Sequence, residues 1–408
     1  KAVKKTVKAV AKKVEEVKEP VKEAVKEPVK KTVKAVAKKV EEVKEPVKTV
    51  VEEAVKTVEK KKEPVKISML SVGDNLIHDG IYEQAKKRSK NGGYDFSYAY
   101  KNIASTVEKA DLATINQETI IAKSYEPSGY PLFNSPQEVG EEVKKIGFDV
   151  VNLANNHMLD KGAKGLSEAI DFWNNIGGIT MTGAYKDEND MNRLEYIEKD
   201  GIKIGLVGIT RYTNGLSLPK DSALKIIYTS DEDTIKSKIQ KAKAECDIVL
   251  VNVHWGEEYT TTPNNDQREL ASKMASWGAD VIIGHHPHVI QPVEWIDNGN
   301  GTKTLVAYSL GNFISQQNTA SRVIGGMLHY DLTKDYDTGK TTVDNVVFEP
   351  IVTHYVRGSH DAQIYPLSQY TDSLAKAQAS RLKQNDFSIK YINDFVGKVI
   401  DKQFLNQA

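Results

Sequence analysis

The run "ADVIIGHHPHVIQ" brings His285, His286 and His288 within four positions, at the end of an apolar stretch. The chain has only nine histidines, so one turn carries three of them. Two histidines at i and i+2, with Pro287 fixing the turn between them, are an arrangement suited to binding a metal ion. Other apolar runs also end in polar residues. "ISMLSVGD" ends in Asp74, "LATINQE" in Glu118, "DVVNLANN" in Asn155 and Asn156 with His157 next, and "DIVLVNVHWG" carries His254 near its end. Carboxylate and amide oxygens mixed with imidazoles suit Zn, Mn or Fe(II) better than Ca or Mg. Singly, each has an ordinary explanation: Asp74 as a turn residue, Glu118 as a solvated acid, His254 as a satisfied core histidine. Five coincidences at the same kind of position are harder to explain that way.

The elements that must position these residues are strands rich in Val and Ile, apolar on both faces: 67–74, 112–118, 149–156, 202–210, 247–256, 280–286 and 304–312. Between several of them lie amphipathic helical segments. "SPQEVGEEVKKIG" offers Ser135 and Pro136 as N-cap and first helical residue, and Gly177 and Gly278 close two further helices. Alternating strand and helix predict an α/β domain with much parallel sheet. In such sheets ligands collect at the carboxyl ends of the strands, where the polar residues stand. From Met327 to Tyr355 consecutive strands predict a hairpin, and from about residue 366 the pattern turns helical.

Residues 1–64 use only Lys, Ala, Val, Thr, Glu and Pro, and Val3–Lys22 recurs unchanged at Val29–Lys48. With no Leu, Ile, Gly or aromatic residue, this low-complexity repeat predicts a spacer, and residues 65–408 form the one folded domain. The formal charge of zero hides an asymmetry. The repeat holds 20 Lys and 12 Glu, leaving 36 basic and 44 acidic residues in the other 344. Interleaved Glu and the lack of aromatics argue against nucleic acid as a partner. Cys246 is the only cysteine, which excludes an intrachain disulfide and a thiolate metal cluster. No apolar run approaches the roughly 20 residues of a membrane span.

"SVGDNLIH", "INQET", "VVNLANNHMLDKGAKGL", "VNVHWGEEY", "ADVIIGHHPHVIQPVE" and "YSLGNFI" follow in order the signatures of the bacterial capsule synthesis family, and the chain resembles its CapA-type, poly-γ-glutamate synthesis members from about Lys66 to Tyr355. The resemblance implies a fold similar to calcineurin-like metallophosphoesterases, a four-layer α/β (α+β) sandwich of two central sheets flanked by helices. It also implies an extracytoplasmic protein of the bacterial cell envelope, with an anionic capsule polymer (poly-γ-glutamate or a glycopolymer) and membrane-bound capsule synthesis subunits as partners.

By the same resemblance, Asp74, Glu118, Asn156, His254, His286 and His288 are the expected ligands of one or two divalent ions (Zn, Mn or Fe), Glu118 standing where a bridging Asp is usual. His157 is the expected general acid, oriented by Asp160. Asn155 is an expected substrate contact, His285 a support to the ligands or a substrate contact, Asn312 a contact to substrate or metal, and Arg211, just after a strand, an anion contact or a structural ion pair. The sequence departs from the pattern at Leu76, where a histidine ligand is expected, and His78 lies two residues further on. The expected activity is a metal-dependent hydrolase or transferase acting on capsule polymer or its attachment. The alternative is a non-catalytic polymer-binding or assembly subunit on the same fold.

Overall fold

The computed structural model describes residues 63–299, 301–355 and 361–405, together with Lys38. The repeat spacer expected over 1–64 lies almost wholly outside the described residues, and Glu63–Ala408 forms one compact unit.

Fourteen strands among the described residues form two sheets. The first contains β1 (Val65–Asn75), β2 (Leu112–Asn116), β3 (Val150–Asn152), β4 (Thr180–Thr182), β11 (Asn312–Ile314), β12 (Ile324–Asp335), β13 (Lys340–Tyr355) and β14 (Ala362–Pro366). Its order is β14-β13-β12-β1-β2-β3-β4, and β11 pairs with β1. From β1 to β4 it is parallel, as the strand–helix alternation predicts, and β12–β13 is the expected hairpin. The second sheet has the order β5-β6-β7-β8-β10-β9, from β5 (Tyr196–Lys199), β6 (Ile202–Thr210), β7 (Ile248–His254), β8 (Val281–His285), β9 (Val293–Asp297) and β10 (Lys303–Ala307). Its centre, β6 to β10, is parallel.

Among the described residues, helices of eight residues or more are α1 (Asp79–Arg88), α2 (Glu138–Lys145), α3 (Gly162–Asn175), α4 (Glu232–Glu245), α5 (Asn265–Trp277), α6 (Asp372–Leu382) and α7 (Ile389–Val399). The α5 helix begins with an Asn264–Gln267 capping box and stops at Gly278, whose φ of 118° suits glycine. The expected cap at Ser135 is absent. Its hydroxyl lies 2.7 Å from that of Thr119 instead, and α2 starts at Glu138.

Side-chain alternation along the strands sets the layers. Ile248 and Leu250 of β7, with Val281 and Ile283 of β8, join one core with Leu70, Val72 and Ile115 of the first sheet and Ile170 and Trp173 of α3. Val249, Val251 and Val253, with Ile282, point the other way and pack on Ile235 and Ile239 of α4 and Leu270 and Met274 of α5. The result is the expected mixed α/β sandwich of two sheets flanked by helices. Each fully buried Leu or Ile contributes about 1.5–3 kcal/mol to holding the layers together. The same alternation aims Asn252, His254 and His285 at the first sheet, because they share the face of Leu250 and Ile283.

Candidate metal centre

Strand register brings the polar residues level. In the first sheet Asp74 pairs with Asn312 on one side and Asn116 on the other, and Asn116 pairs with Asn152. In the second, His254 stands between Thr210 and His285. Close backbone approach makes this possible. A Cβ on Gly73 would lie 1.9 Å from the Gly311 carbonyl oxygen, so only glycine fits beside Asp74. Beyond β8 the chain turns through left-handed conformations at His286 (φ 97°) and His288 (φ 56°), which non-glycine residues seldom adopt. The turn is thereby folded back over the strand ends.

Asp74 and Glu118 are fully buried. Asp74 Oδ1 accepts from Asn116 Nδ2 at 2.8 Å, and Asn116 Oδ1 in turn accepts from Asn152 Nδ2 at 2.9 Å. His288 Nδ1 lies 3.2 Å from Asp74 Oδ2 and 3.0 Å from Asn312 Oδ1, and its Nε2 is 3.5 Å from Glu118 Oε1. His254 Nε2 reaches the same Glu118 oxygen at 3.3 Å. Ligand-capable atoms of Asp74, Glu118 and His288 lie within 4.8 Å of one another, and so do those of Glu118, His254 and His286. Glu118 belongs to both groups. A third group joins the exposed Glu258 to His286 and His288.

The electrostatics are strained. Burial works against the Asp74 charge, yet the contacts of His285 and His288 outweigh it and hold this carboxyl well below its usual range. Burial, then the Asp74 charge, pushes Glu118 up to about 8. Burial also opposes a charge on His288, but Glu118 and Asp74 raise it to about 9. Burial depresses His254 and His286 strongly. A dication favours both carboxylates ionised and all the imidazoles neutral, a state toward which Asp74, His254 and His286 already lean and from which Glu118 and His288 depart. Buried atoms without a protein hydrogen-bond partner point the same way: Glu118 Oε2, Asn156 Oδ1 and His286 Nδ1. Hard oxygens and imidazole nitrogens left unsatisfied together fit a transition-metal ion.

His157 Nδ1 lies 2.8 Å from Asp160 Oδ2, and that oxygen also accepts from the Phe133 backbone N–H at 2.7 Å. The ring meets Phe133 edge-on at 4.7 Å. Asp160 thus fixes the orientation of the His157 ring.

The four candidate substrate contacts are placed as follows. Asn155 is buried, accepting from the His157 backbone N–H and donating to the carbonyls of Gln117 and Leu153; it builds the turn. His285 is buried, 3.4 Å from Asp74 Oδ1 through Nδ1 and 3.4 Å from Asn252 Oδ1 through Nε2. Asn312 is buried against His288 and the Arg322 carbonyl. These three support the centre from behind. Arg211 is partly exposed but engaged by Glu257 at 2.6 Å and the Gly256 carbonyl at 2.8 Å. Leu76 is buried, and His78 Nδ1 is taken by the Leu76 carbonyl and the Gln316 backbone N–H, so it does not join either ligand group.

Sequence reasoning overlooked Asn116, Asn152 and Asn252. The signal was available: each is an amide inside an apolar strand run, and Asn116 and Asn252 stand one strand repeat ahead of Glu118 and His254. Tyr212 and Asn214 were also overlooked, and only their place just after the β6 run marked them.

Fold and geometry together define a two-sheet α/β protein with a buried carboxylate–imidazole centre suited to divalent metal. Residues 68–317 match the family described as bacterial capsule synthesis protein PGA_cap, and the chain belongs to that family. It is 30% identical over 297 residues to the capsule biosynthesis protein CapA of Bacillus anthracis, covering 70% of this chain and 68% of that one. It is 29% identical over 281 residues to the PGA biosynthesis protein CapA of Bacillus subtilis (strain 168), covering 68% and 70%. A crystal structure of a phosphatase from Mycoplasma pneumoniae superposes with a TM-score of 0.42 at 15% identity, covering 71% of this chain and 95% of that one. That overlap is too loose to transfer a site. Among the described residues no helix is long and apolar enough to cross a membrane.

Proposed function

We propose that this capsule synthesis protein is a metal-dependent hydrolase or transferase acting on an anionic capsule polymer, poly-γ-glutamate or a glycopolymer, or on its attachment at the bacterial cell envelope. The observation that carries this reading is the buried Glu118, shared between two carboxylate–imidazole groups. Asp74, Glu118 and His288 would hold one divalent ion; Glu118, His254 and His286, with Asn156, would hold a second. Metal held there supplies Lewis-acid polarisation of the bond under attack. With its Nδ1 engaged by Asp160, His157 is left to give or take a proton at Nε2. Asn116, Asn312 and His285 keep the Asp74 and His288 donors in place. The excess of lysine in residues 1–64 supports a further role for that segment in holding the polymer near the acidic domain, alongside membrane-bound synthesis subunits.

A second reading, a polymer-binding assembly subunit without catalysis, is favoured by the buried Leu76 where the resemblance implies a ligand. Elemental analysis of protein purified without chelator, beside a His286→Ala/His288→Ala variant, comes first. Cleavage assays on poly-γ-glutamate and on a phosphodiester-linked glycopolymer follow. Near-stoichiometric Zn, Mn or Fe lost in the variant, with polymer cleavage that follows metal content, is the expected result. Metal without cleavage selects the assembly subunit. No metal after reconstitution overturns the metal-dependent reading.

A further inference from the structure

The loop leaving β6 contributes no member to the ligand groups, yet two of its side chains hold residues that do or would. Tyr212 Oη lies 2.5 Å from His286 Nε2, with the two rings nearly perpendicular. Two positions on, Asn214 Oδ1 accepts from Asn156 Nδ2 at 3.2 Å. In both cases the opposite polar atom is the one left buried without a protein partner, His286 Nδ1 and Asn156 Oδ1.

That pairing has a chemical consequence. A neutral imidazole has one nitrogen lone pair, and an amide coordinates through oxygen rather than nitrogen. When the Nε2 proton is donated to the Tyr212 oxygen, the tautomer that a metal at Nδ1 requires, His286 offers its lone pair at Nδ1. With its NH₂ group on Asn214, Asn156 turns its oxygen inward. The loop is itself anchored, since the Arg211 backbone N–H donates to the His254 carbonyl at 2.8 Å and the Thr213 hydroxyl to the Leu216 carbonyl at 2.6 Å. Asn214 completes the turn in a left-handed conformation, φ 51°. The donors of the other group are held by different residues, Asp74 by Asn116 and His288 by Asn312.

We infer that Tyr212 and Asn214 are positioning residues for one of the two ion positions, the one formed by Glu118, His254, His286 and Asn156, and not for the one formed by Asp74, Glu118 and His288. The inference rests on the metal reading above. The loop after β6 therefore sets how tightly one position is filled without touching the other.

The test uses the full chain stripped with chelator and titrated calorimetrically with Zn²⁺ and with Mn²⁺, in wild type, Tyr212→Phe, Asn214→Gly (which keeps the left-handed backbone without strain) and the double variant. Tyr212→Phe keeps the ring, and Asn214 is exposed, so both should fold. The expected result is a 10–100-fold weakening of one binding event, the other unchanged, as is usual when a residue behind a ligand is lost. The stripped variants should melt only a few degrees below the stripped wild type, as the loss of one hydrogen bond each requires, whereas a merely structural role would weaken both binding events together. Wild-type affinity for both events in the double variant overturns the inference while the metal reading stands. Equal weakening of both events also overturns it. A wild type that binds neither ion overturns the metal reading itself, and this inference with it.

Discussion

Glu195 and Glu118 are both buried carboxyls pushed up by burial, to about 7 and about 8, but their surroundings differ. Glu195 Oε2 accepts from the Tyr185 hydroxyl at 3.0 Å and the Thr182 hydroxyl at 3.2 Å, and it lies 3.5 Å from Lys238 Nζ. One acid faces one base, and hydroxyls fill the remaining directions. Around Glu118 a second carboxylate and several imidazoles converge, while Glu118 Oε2, His286 Nδ1 and Asn156 Oδ1 have no protein partner. Leaving a buried polar group unsatisfied costs about 1–3 kcal/mol. The first cluster is closed on itself and serves the fold. The second leaves donor atoms buried together without protein partners, the arrangement a bound ion would satisfy.

The sharpest way to break this contrast is to neutralise each acid. Glu118→Gln removes the carboxylate shared by both ligand groups, so metal affinity should fall by more than about 100-fold, read by elemental analysis after dialysis. Glu195→Gln should leave metal content unchanged. Full metal content in Glu118→Gln would end the distinction between the two clusters.

Next in size is the backbone beneath the open cluster. A Cβ on Gly284 would lie 2.0 Å from the Tyr308 carbonyl oxygen and 2.5 Å from Trp255 Nε1. Gly284→Ala should therefore cost about 3 kcal/mol or more, seen as a lower urea midpoint. A midpoint equal to wild type would show that the strand end tolerates more room than the structure displays.

Smaller again is Asn312→Ala. It removes the amide oxygen 3.0 Å from His288 Nδ1, and calorimetry should show roughly tenfold weaker binding in one event. No change would mean that Asp74 alone orients His288.

A last effect belongs to the closed cluster and depends on pH. Glu195 stands at about 7 in the fold against 4.5 for a free carboxyl, chiefly through burial, with Lys238 and the hydroxyls opposing. A raised folded value means that the fold holds the proton more tightly. This contribution is fully present below about pH 4.5 and is lost as pH rises through 7. Relative to Glu195→Gln, the wild type should lose about 1–3 kcal/mol across that window, measured by denaturation at several pH values. Parallel curves for the two proteins would remove Glu195 as a titrating group.

Much of the candidate donor set was legible in the sequence because strand ends are local features. Asp74, Glu118, His254 and the His286/His288 pair each end an apolar run, and period-two alternation already decides which face His254 takes. The supporting residues were harder to read. Asn312 looked like a substrate contact, but only packing shows it facing His288 with its amide already engaged. Arg211 could serve an anion or a structural ion pair, and packing places Glu257 beside it.

The amino-acid sequence by itself determined the strand–helix alternation, the family, the repeat at the start of the chain and the types of donor atom, since these follow from patterns a few residues long. Only the tertiary structure decided that the first sheet delivers oxygens and the second imidazoles to one place, and that the Tyr212 loop holds His286 from outside. Asp74 and His288 are 214 residues apart in the chain and 3.2 Å apart in space. No local pattern encodes a contact made by stacking one sheet on another. It is set by the shared core, which orders both sheets at once.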